Sequence, residues 1–266
     1  MTADRGSVTV TREGAIATVT FNRGIPANPL SIDLMRDLTA IARDLQEDTT
    51  LTAVILRGRI DTFSMGFDLS EEALARLTKA PLVERRNLAA VGRRMCQAWE
   101  DLPQLTISAI EGWCIGGGAA LAVATDLRVL SRTSTLYVPE IERGLSMSWG
   151  SIPRITALVG PARAKRLILL SEKLSAEAAL SWGLADEISE PGGTIDVALQ
   201  LAGRAADMPP VSLHMGKSAI NAYANALARV ATHADHDQFT LSLGSDDAKE
   251  GIAAFRARRD PRYTGN

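Results

Sequence analysis

The sequence predicts an α/β core followed by a helical C-terminal region, and three observations carry that expectation. Stretches of β alternation and stretches of helical apolar spacing take turns over the first two-thirds of the chain. From Thr194 onward the apolar spacing is helical almost throughout. Within the first part lies an apolar strand signal at 107–110, which runs into Gly116, Gly117 and Gly118 and then an alanine-rich stretch. Interleaved strands and helices bury their apolar faces as a sheet covered by helices, whereas a run of helices forms a layer of its own. No repeat or low-complexity linker separates the parts, so a core over 1–195 and a helical subdomain over 196–266 are expected. Such a tail packs either on a neighbouring subunit or on its own core, and both readings stand.

Taken in order, 7–11 and 15–21 alternate in the β manner, and Glu13-Gly14 supplies the turn of an opening hairpin. Residues 22–29 form an irregular loop. Ser31 can cap a helix whose apolar positions Leu34, Leu38, Ile41 and Leu45 recur at helical spacing. A short buried strand at 52–56 leads into a loop at 57–67. A long helical region over 71–99 follows, broken before Pro81, since the residue preceding a proline avoids helical geometry. Beyond the glycine-rich centre come strands at 127–130 and 135–138, helices at 152–158, 161–170 and 176–182, and a last strand at 186–188. Helices are then expected at 199–206, 211–230, 233–243 and 248–258.

Composition bounds the function. With 46% hydrophobic and 23% charged residues over 266, the chain has ample material for a buried core. A formal net charge of −2 gives no reason to expect nucleic acid or an anionic membrane surface as partner. Cys96 and Cys114 lie in apolar contexts and read as buried free thiols rather than a disulfide. The opening residues carry no apolar targeting core and no run approaches membrane-spanning length, so a cytoplasmic protein is expected. His214, His233 and His236 all come late, and a metal site is not expected; His233 and His236 read as solvent-facing.

The glycine-rich centre is the first candidate for chemistry. Gly116, Gly117 and Gly118 fall where the first-turn N–H groups of a helix have no intrahelical partner. Without a Cβ, a ligand oxygen can approach those donors, and the helix dipole adds partial positive charge. An anion or oxyanion site is one reading; tight helix–strand packing is the other. A dinucleotide site is disfavoured because the Gly-x-Gly-x-x-Gly spacing is absent, and a serine hydrolase because the Gly-x-Ser-x-Gly elbow is absent.

Three further segments read as partners of that centre: Asp61 to Leu69 with Gly66, Tyr137 to Leu145 with Glu140, and the tail from Glu250 to Pro261. Together they carry a family resemblance. Phe21-Asn-Arg23 is followed by Asn28-Pro-Leu30, then by Phe63 to Asp68, Gly112 to Ala120 with Asp126, Pro139-Glu140 with Gly144-Leu145 and Arg154, Ala178 to Leu184, and Glu250-Gly251 with Ala254-Phe255. In this order and over nearly the full length, the chain resembles the crotonase (enoyl-CoA hydratase/isomerase) superfamily. The resemblance implies a crotonase-like (ClpP/crotonase) α/β fold, a superhelix of ββα turns with a helical C-terminal trimerisation subdomain, assembled as a homotrimer or dimer of trimers. It implies an acyl-CoA thioester as ligand, with coenzyme A entering as part of the substrate and no separate cofactor.

By position, the resemblance makes the backbone N–H groups of Phe67 and Gly117 the donors that hold the thioester oxygen. It makes Glu140 the general acid/base. The family's other glutamate falls on Ala120, which transfers no proton; a single carboxylate suits an isomerase, and also suits hydratase-lyases and other single-acid variants. For Glu140 the competing reading is an ion pair with Arg143 or Arg154. Glu142, two residues on at what reads as a strand end, is expected in a solvated or salt-bridging role. Ser64, Met65, Gly66, Asp68, Gly116, Ala120, Ser148 and Trp149 are expected to bind the substrate, Ser148 and Trp149 at the acyl pocket and the backbone around Ser64 to Gly66 at the adenine end. Trp149 suggests a restricted or aromatic-tolerant pocket, and Ser148 reads more simply as a helix N-cap. Arg23, Ala27, Asn28, Phe255 and Arg258 are expected near coenzyme A. An ion pair competes for Arg23, and a solvated basic helix end for Arg256, Arg258 and Arg259. A family member that binds a CoA ligand without catalysis is the alternative from another class.

Overall fold

The computed structural model describes residues 3–5 and 7–266. Met1, Thr2 and Gly6, part of the opening stretch read for a targeting core, lie outside the described residues. Strands β1 (Ala3–Arg5), β2 (Val8–Glu13), β3 (Ile16–Phe21), β4 (Ala53–Arg57) and β5 (Leu105–Ile110) are followed by β6 (Trp113–Ile115), β7 (Leu127–Ser131), β8 (Thr135–Tyr137), β9 (Leu174–Ser175) and β10 (Glu187–Ser189). Seven of them form one sheet in the order β1-β2-β3-β4-β5-β7-β10, and β6-β8-β9 form a second. The first three pair antiparallel; from β3 to β10 the neighbours are parallel.

Parallel neighbours need crossovers, and helices supply most of them. Helix α1 (Ile32–Gln46) joins β3 to β4; α2 (Glu71–Lys79), α3 (Leu82–Ala89) and α4 (Val91–Glu100) join β4 to β5. Ser31 caps α1 through its hydroxyl on the Leu34 amide, 3.1 Å, as its position in the sequence predicts. The break at Pro81 also holds, with α2 ending at Lys79. The two sheet faces follow from strand alternation. Val54 and Leu56 of β4 join the core under α1 and α4, whereas Ala53 and Ile55 meet a second, smaller cluster.

That second cluster is covered by α8 (Thr194–Ala206), which comes after α5 (Gly117–Ala122), α6 (Ser151–Leu169) and α7 (Ala176–Trp182). Gly160, at φ +76 and ψ 163, divides α6 in two, so the two separate helices expected there are present. Ala198 and Ala202 of α8 are fully buried against the sheet, and the expected division at 195/196 falls inside this core helix. Glu111 fixes the start of α8: its Oε1 accepts from the Gly192 and Thr194 amides and from the Thr194 hydroxyl at 3.0, 3.3 and 2.8 Å.

The tail continues as α9 (Pro210–Ala224), α10 (Ala228–Ala231), α11 (Asp235–Leu243) and α12 (Asp246–Ala257). Helix α9 buries none of its residues fully, but Lys217 reaches inward to Asp126 at 2.6 Å. Helix α11 packs on α3, and α12 on a 3-10 turn at Ile141–Arg143, so this part of the tail folds back over its own core. That packing buries His236, which the sequence reads as solvent-facing. Cys96 and Cys114 are buried free thiols. No helix among the described residues is long and apolar enough to cross a membrane.

Candidate active site

The site is a cavity between the loop after β4, the N-terminus of α5, the turn after β8 and the segment before α6. Gly66 adopts φ +91, and a Cβ there would lie 2.8 Å from the Ile115 carbonyl oxygen, so glycine lets this loop lie against β6. The loop is seated by Met65 N–H on Ala27 O (2.8 Å), Leu30 N–H on Gly66 O (2.8 Å) and Asp68 N–H on Leu30 O (3.1 Å). The Phe67 amide between them donates to no acceptor among the described residues, and neither does the Gly117 amide at the start of α5. A Cβ on Gly66 would sit 3.1 Å from the Gly117 nitrogen, and one on Gly117 would sit 3.2 Å from the Phe67 nitrogen. Two unpaired main-chain donors from separate segments therefore flank one gap.

Glu140 closes the opposite side. Its Oε1 lies 2.5 Å from where a Cβ on Gly116 would be, and its Oε2 is buried without a hydrogen-bond partner. The competing ion pairs are not formed: Arg154 pairs with Glu100 at 2.7 Å, and the Arg143 guanidinium lies 4.2 Å over the Phe255 ring. Burial pushes the Glu140 carboxyl up to about 7, against smaller opposing effects of a backbone hydrogen bond and the Arg143 charge. A carboxyl there exchanges protons near neutral pH. Ala120 lines the same cavity, and Glu140 is the one carboxylate among its described lining residues.

Trp149 forms a wall. Its backbone is left-handed at φ +62, held by an Arg154 Nη1 donor to its carbonyl (3.0 Å) and by the Gly150 amide on Asp235 Oδ2 (2.7 Å). The indole packs against Gly117, where a Cβ would come within 2.5 Å of the ring, and occupies the space a side chain on Gly92 would need. Phe67 meets it edge-on with centroids 6.4 Å apart.

Several expectations need correction. Ser148 lines the cavity but does not cap α6; Gly150 is the N-cap residue, and the Ser148 carbonyl accepts from the Ser151 hydroxyl at 2.6 Å. Glu142 does not continue a strand, because the chain turns into the 3-10 helix; its carboxylate accepts the Tyr137 hydroxyl. Ser64 and Asn28 are sealed from solvent. The Ser64 hydroxyl bridges Asn28 O (2.9 Å) and the Gly66 amide (3.1 Å), and Asn28 Nδ2 donates to Phe21 O and Phe63 O at 3.1 and 2.9 Å. Both side chains hold the loop in place. Arg23 and Asp68 pair with each other at 2.7 Å outside the cavity, the structural reading that competed for Arg23.

Met65, Gly66, Phe67, Gly116, Gly117, Ala120, Glu140, Ser148 and Trp149 come together at the cavity; Ala27, Phe255 and Arg258 do not line it. Of the C-terminal arginines, Arg259 pairs with Glu250 and Arg256 donates to Leu69 O, leaving Arg258 exposed in a left-handed cap. The sequence reading missed Gly92, Phe239 and Leu243 as lining residues and considered Arg143 only as an ion-pair partner. Phe239 and Leu243 stand one helical turn apart on α11, a visible spacing that says nothing of where the helix docks.

Comparison with known proteins finds relatives over nearly the whole chain. The family model for enoyl-CoA hydratase/isomerase matches residues 11–266. The chain is 28% identical to a short-chain-enoyl-CoA hydratase of Clostridium acetobutylicum over 254 residues, covering 95% of each protein. It is 29% identical to a 1,2-epoxyphenylacetyl-CoA isomerase of Escherichia coli over 256 residues, covering 95% of this chain and 96% of the other. A crystal structure of an enoyl-CoA hydratase from Mycobacterium avium subsp. paratuberculosis superposes with a TM-score of 0.86 at 25% identity, over 97% of this chain and 98% of that one.

Proposed function

The chain belongs to the enoyl-CoA hydratase/isomerase family, and from that premise we propose that it is an enoyl-CoA isomerase with Glu140 as its single acid/base. Its fold is the crotonase fold that the ordered motifs imply. The Phe67 and Gly117 amides hold the thioester oxygen of a bound acyl-CoA, and coenzyme A enters only as part of that substrate. Loss of a proton from C2 puts negative charge on this oxygen, and preorganised donors grip it more tightly as the charge grows. Glu140, ionised, takes the C2 proton of a 3-enoyl thioester; the electron pair shifts through the enolate, and the same carboxyl returns the proton at C4.

The observation that carries this reading is the Glu140 carboxyl, whose Oε2 is buried without a hydrogen-bond partner and which is the one acid among the described cavity residues. A second reading is hydration, which the hydratase among the compared proteins favours. It requires a group other than Ala120 to handle water, and Ser146 and Ser148 are the hydroxyls at hand. Incubating the protein with 2-enoyl- and 3-enoyl-CoA esters and identifying products by mass spectrometry tests the choice. An isomeric enoyl ester supports isomerisation, a 3-hydroxyacyl ester supports hydration, and no turnover supports a non-catalytic CoA binder.

The assembly belongs to the same proposal. Helix α9 exposes Val211, Met215, Ile220 and Tyr223 at 70%, 68%, 68% and 88%, apolar area suited to a subunit contact in a homotrimer or dimer of trimers. A cytoplasmic location fits a thioester substrate that carries a charged coenzyme.

A further inference from the structure

We propose that Arg143 recognises a carboxylate carried by the acyl group of the thioester, an inference that rests on the acyl-CoA reading above and narrows its substrate class. Arg143 lines the same cavity as Glu140 and is the one cationic side chain among the described lining residues. It is half-buried, and its side chain makes no hydrogen bond and no ion pair within 4.0 Å among the described residues. The neighbouring acids lie within reach of its charge, but neither forms an ion pair with it. Glu142 accepts the Tyr137 hydroxyl through its carboxylate, and Glu140 faces Gly116.

What does hold Arg143 is the Phe255 ring of α12, 4.2 Å from the guanidinium carbon. A ring face attracts the cation through its quadrupole but offers the N–H donors no lone-pair acceptor. A partly desolvated guanidinium with free donors is unfavourable until an acceptor arrives, and a carboxylate matches its planar fork with two parallel hydrogen bonds. The rest of the cavity lining is largely apolar, with Met65, Leu145, Met147, Phe239 and Leu243 among it, and its other polar side chains besides Glu140 are the neutral Ser146 and Ser148. Glu140 and Arg143 stand three residues apart at one 3-10 turn, where side chains at i and i+3 eclipse. An anion that Arg143 meets within this cavity therefore shares it with the Glu140 carboxyl, which favours the acyl group over the coenzyme's phosphates.

The test uses non-reactive saturated thioesters, so that binding is read apart from turnover: glutaryl-CoA, and 5-methylhexanoyl-CoA as its neutral isostere. Calorimetric titration of the wild-type protein is expected to give a Kd for glutaryl-CoA about tenfold lower or better. In Arg143→Leu the ratio of the two Kd values should fall to about one, and Arg143→Lys should recover part of it. Thermal melts of both variants establish that they are folded. Equal wild-type affinities, or a preference that survives in Arg143→Leu, overturn the proposal while leaving the acyl-CoA reading intact. Equal weakening of both thioesters by Arg143→Leu at an unchanged ratio assigns the guanidinium to the coenzyme and also overturns it. Failure of both thioesters to bind overturns the acyl-CoA reading, and the inference with it.

Discussion

The carboxyl of Glu140 occupies the space that any side chain on Gly116 would need, its Oε1 lying 2.5 Å from an ideal Cβ at that position. Gly116 also adopts φ +52, which L side chains rarely adopt, so conformation and space both demand glycine there. Gly116→Ala is therefore expected to expel the carboxyl from its seat. Steady-state kinetics should show a drop in turnover within the range of roughly 10²–10⁴-fold that a positioned acid/base contributes. Retention of full activity in a folded variant would show that the carboxyl does not need this seat.

The pH dependence follows from the same burial. Glu140 must be ionised to take a proton, so kcat/KM should rise with pH and level off above about 7, where burial has moved the carboxyl. Stability runs the other way. The folded state holds its proton up to about 7 whereas the ordinary value is 4.5, so between them the native protein binds more protons than the unfolded chain. The group's stabilising contribution is whole below 4.5 and lost as pH rises through about 7. Relative to Glu140→Gln, the wild type should lose on the order of 3 kcal/mol across that window. Denaturant titrations of both proteins at pH 4.5 and pH 8 measure the difference.

Gly117 is constrained by both of its neighbours. A Cβ there would press on the Trp149 ring at 2.5–2.6 Å and stand 3.2 Å from the Phe67 nitrogen. Gly117→Val should displace the indole and block the gap between the two amides, raising the Kd for any acyl-CoA at least tenfold, about 1.4 kcal/mol. Calorimetry with a saturated thioester checks this without relying on turnover.

Asp235 supports the wall from a distance. Its Oδ2 accepts the Gly150 amide at 2.7 Å, next to the left-handed Trp149. Asp235→Ala leaves that amide unbonded in a buried place and should lower stability by about 1–3 kcal/mol. The variant should also raise KM as Trp149 loosens, an effect that a purely global loss of stability would not produce in protein still folded at the assay temperature.

The sequence was most informative where local rules act alone. Ser31 capping α1, the break at Pro81 and the strand-to-glycine passage into α5 each depend on residues a few positions apart. The cavity's glycines and Glu140 were legible because ordered motifs resemble a known family. The remainder depends on distant chain segments. Asp235 reaches Gly150 across 85 positions, and the emptiness at Gly92 has meaning only once the Trp149 ring fills it. Glu142 is exposed as expected, though on a 3-10 helix and not a strand, because the backbone turns past Pro139. Strands β6 and β9, three and two residues long, are too short for any periodicity to register.

The central claim is that the Glu140 carboxyl moves the proton of an acyl-CoA thioester, and isotope exchange reads that step directly. A 3-enoyl-CoA ester incubated in deuterated water is to be followed by NMR at C2 and C4, with wild-type protein and with Glu140→Gln. The account predicts solvent deuterium at both carbons with the wild type, together with the 2-enoyl product, and exchange at least about 10²-fold slower in the variant. Equal exchange in the two proteins, or none in the wild type, would contradict it.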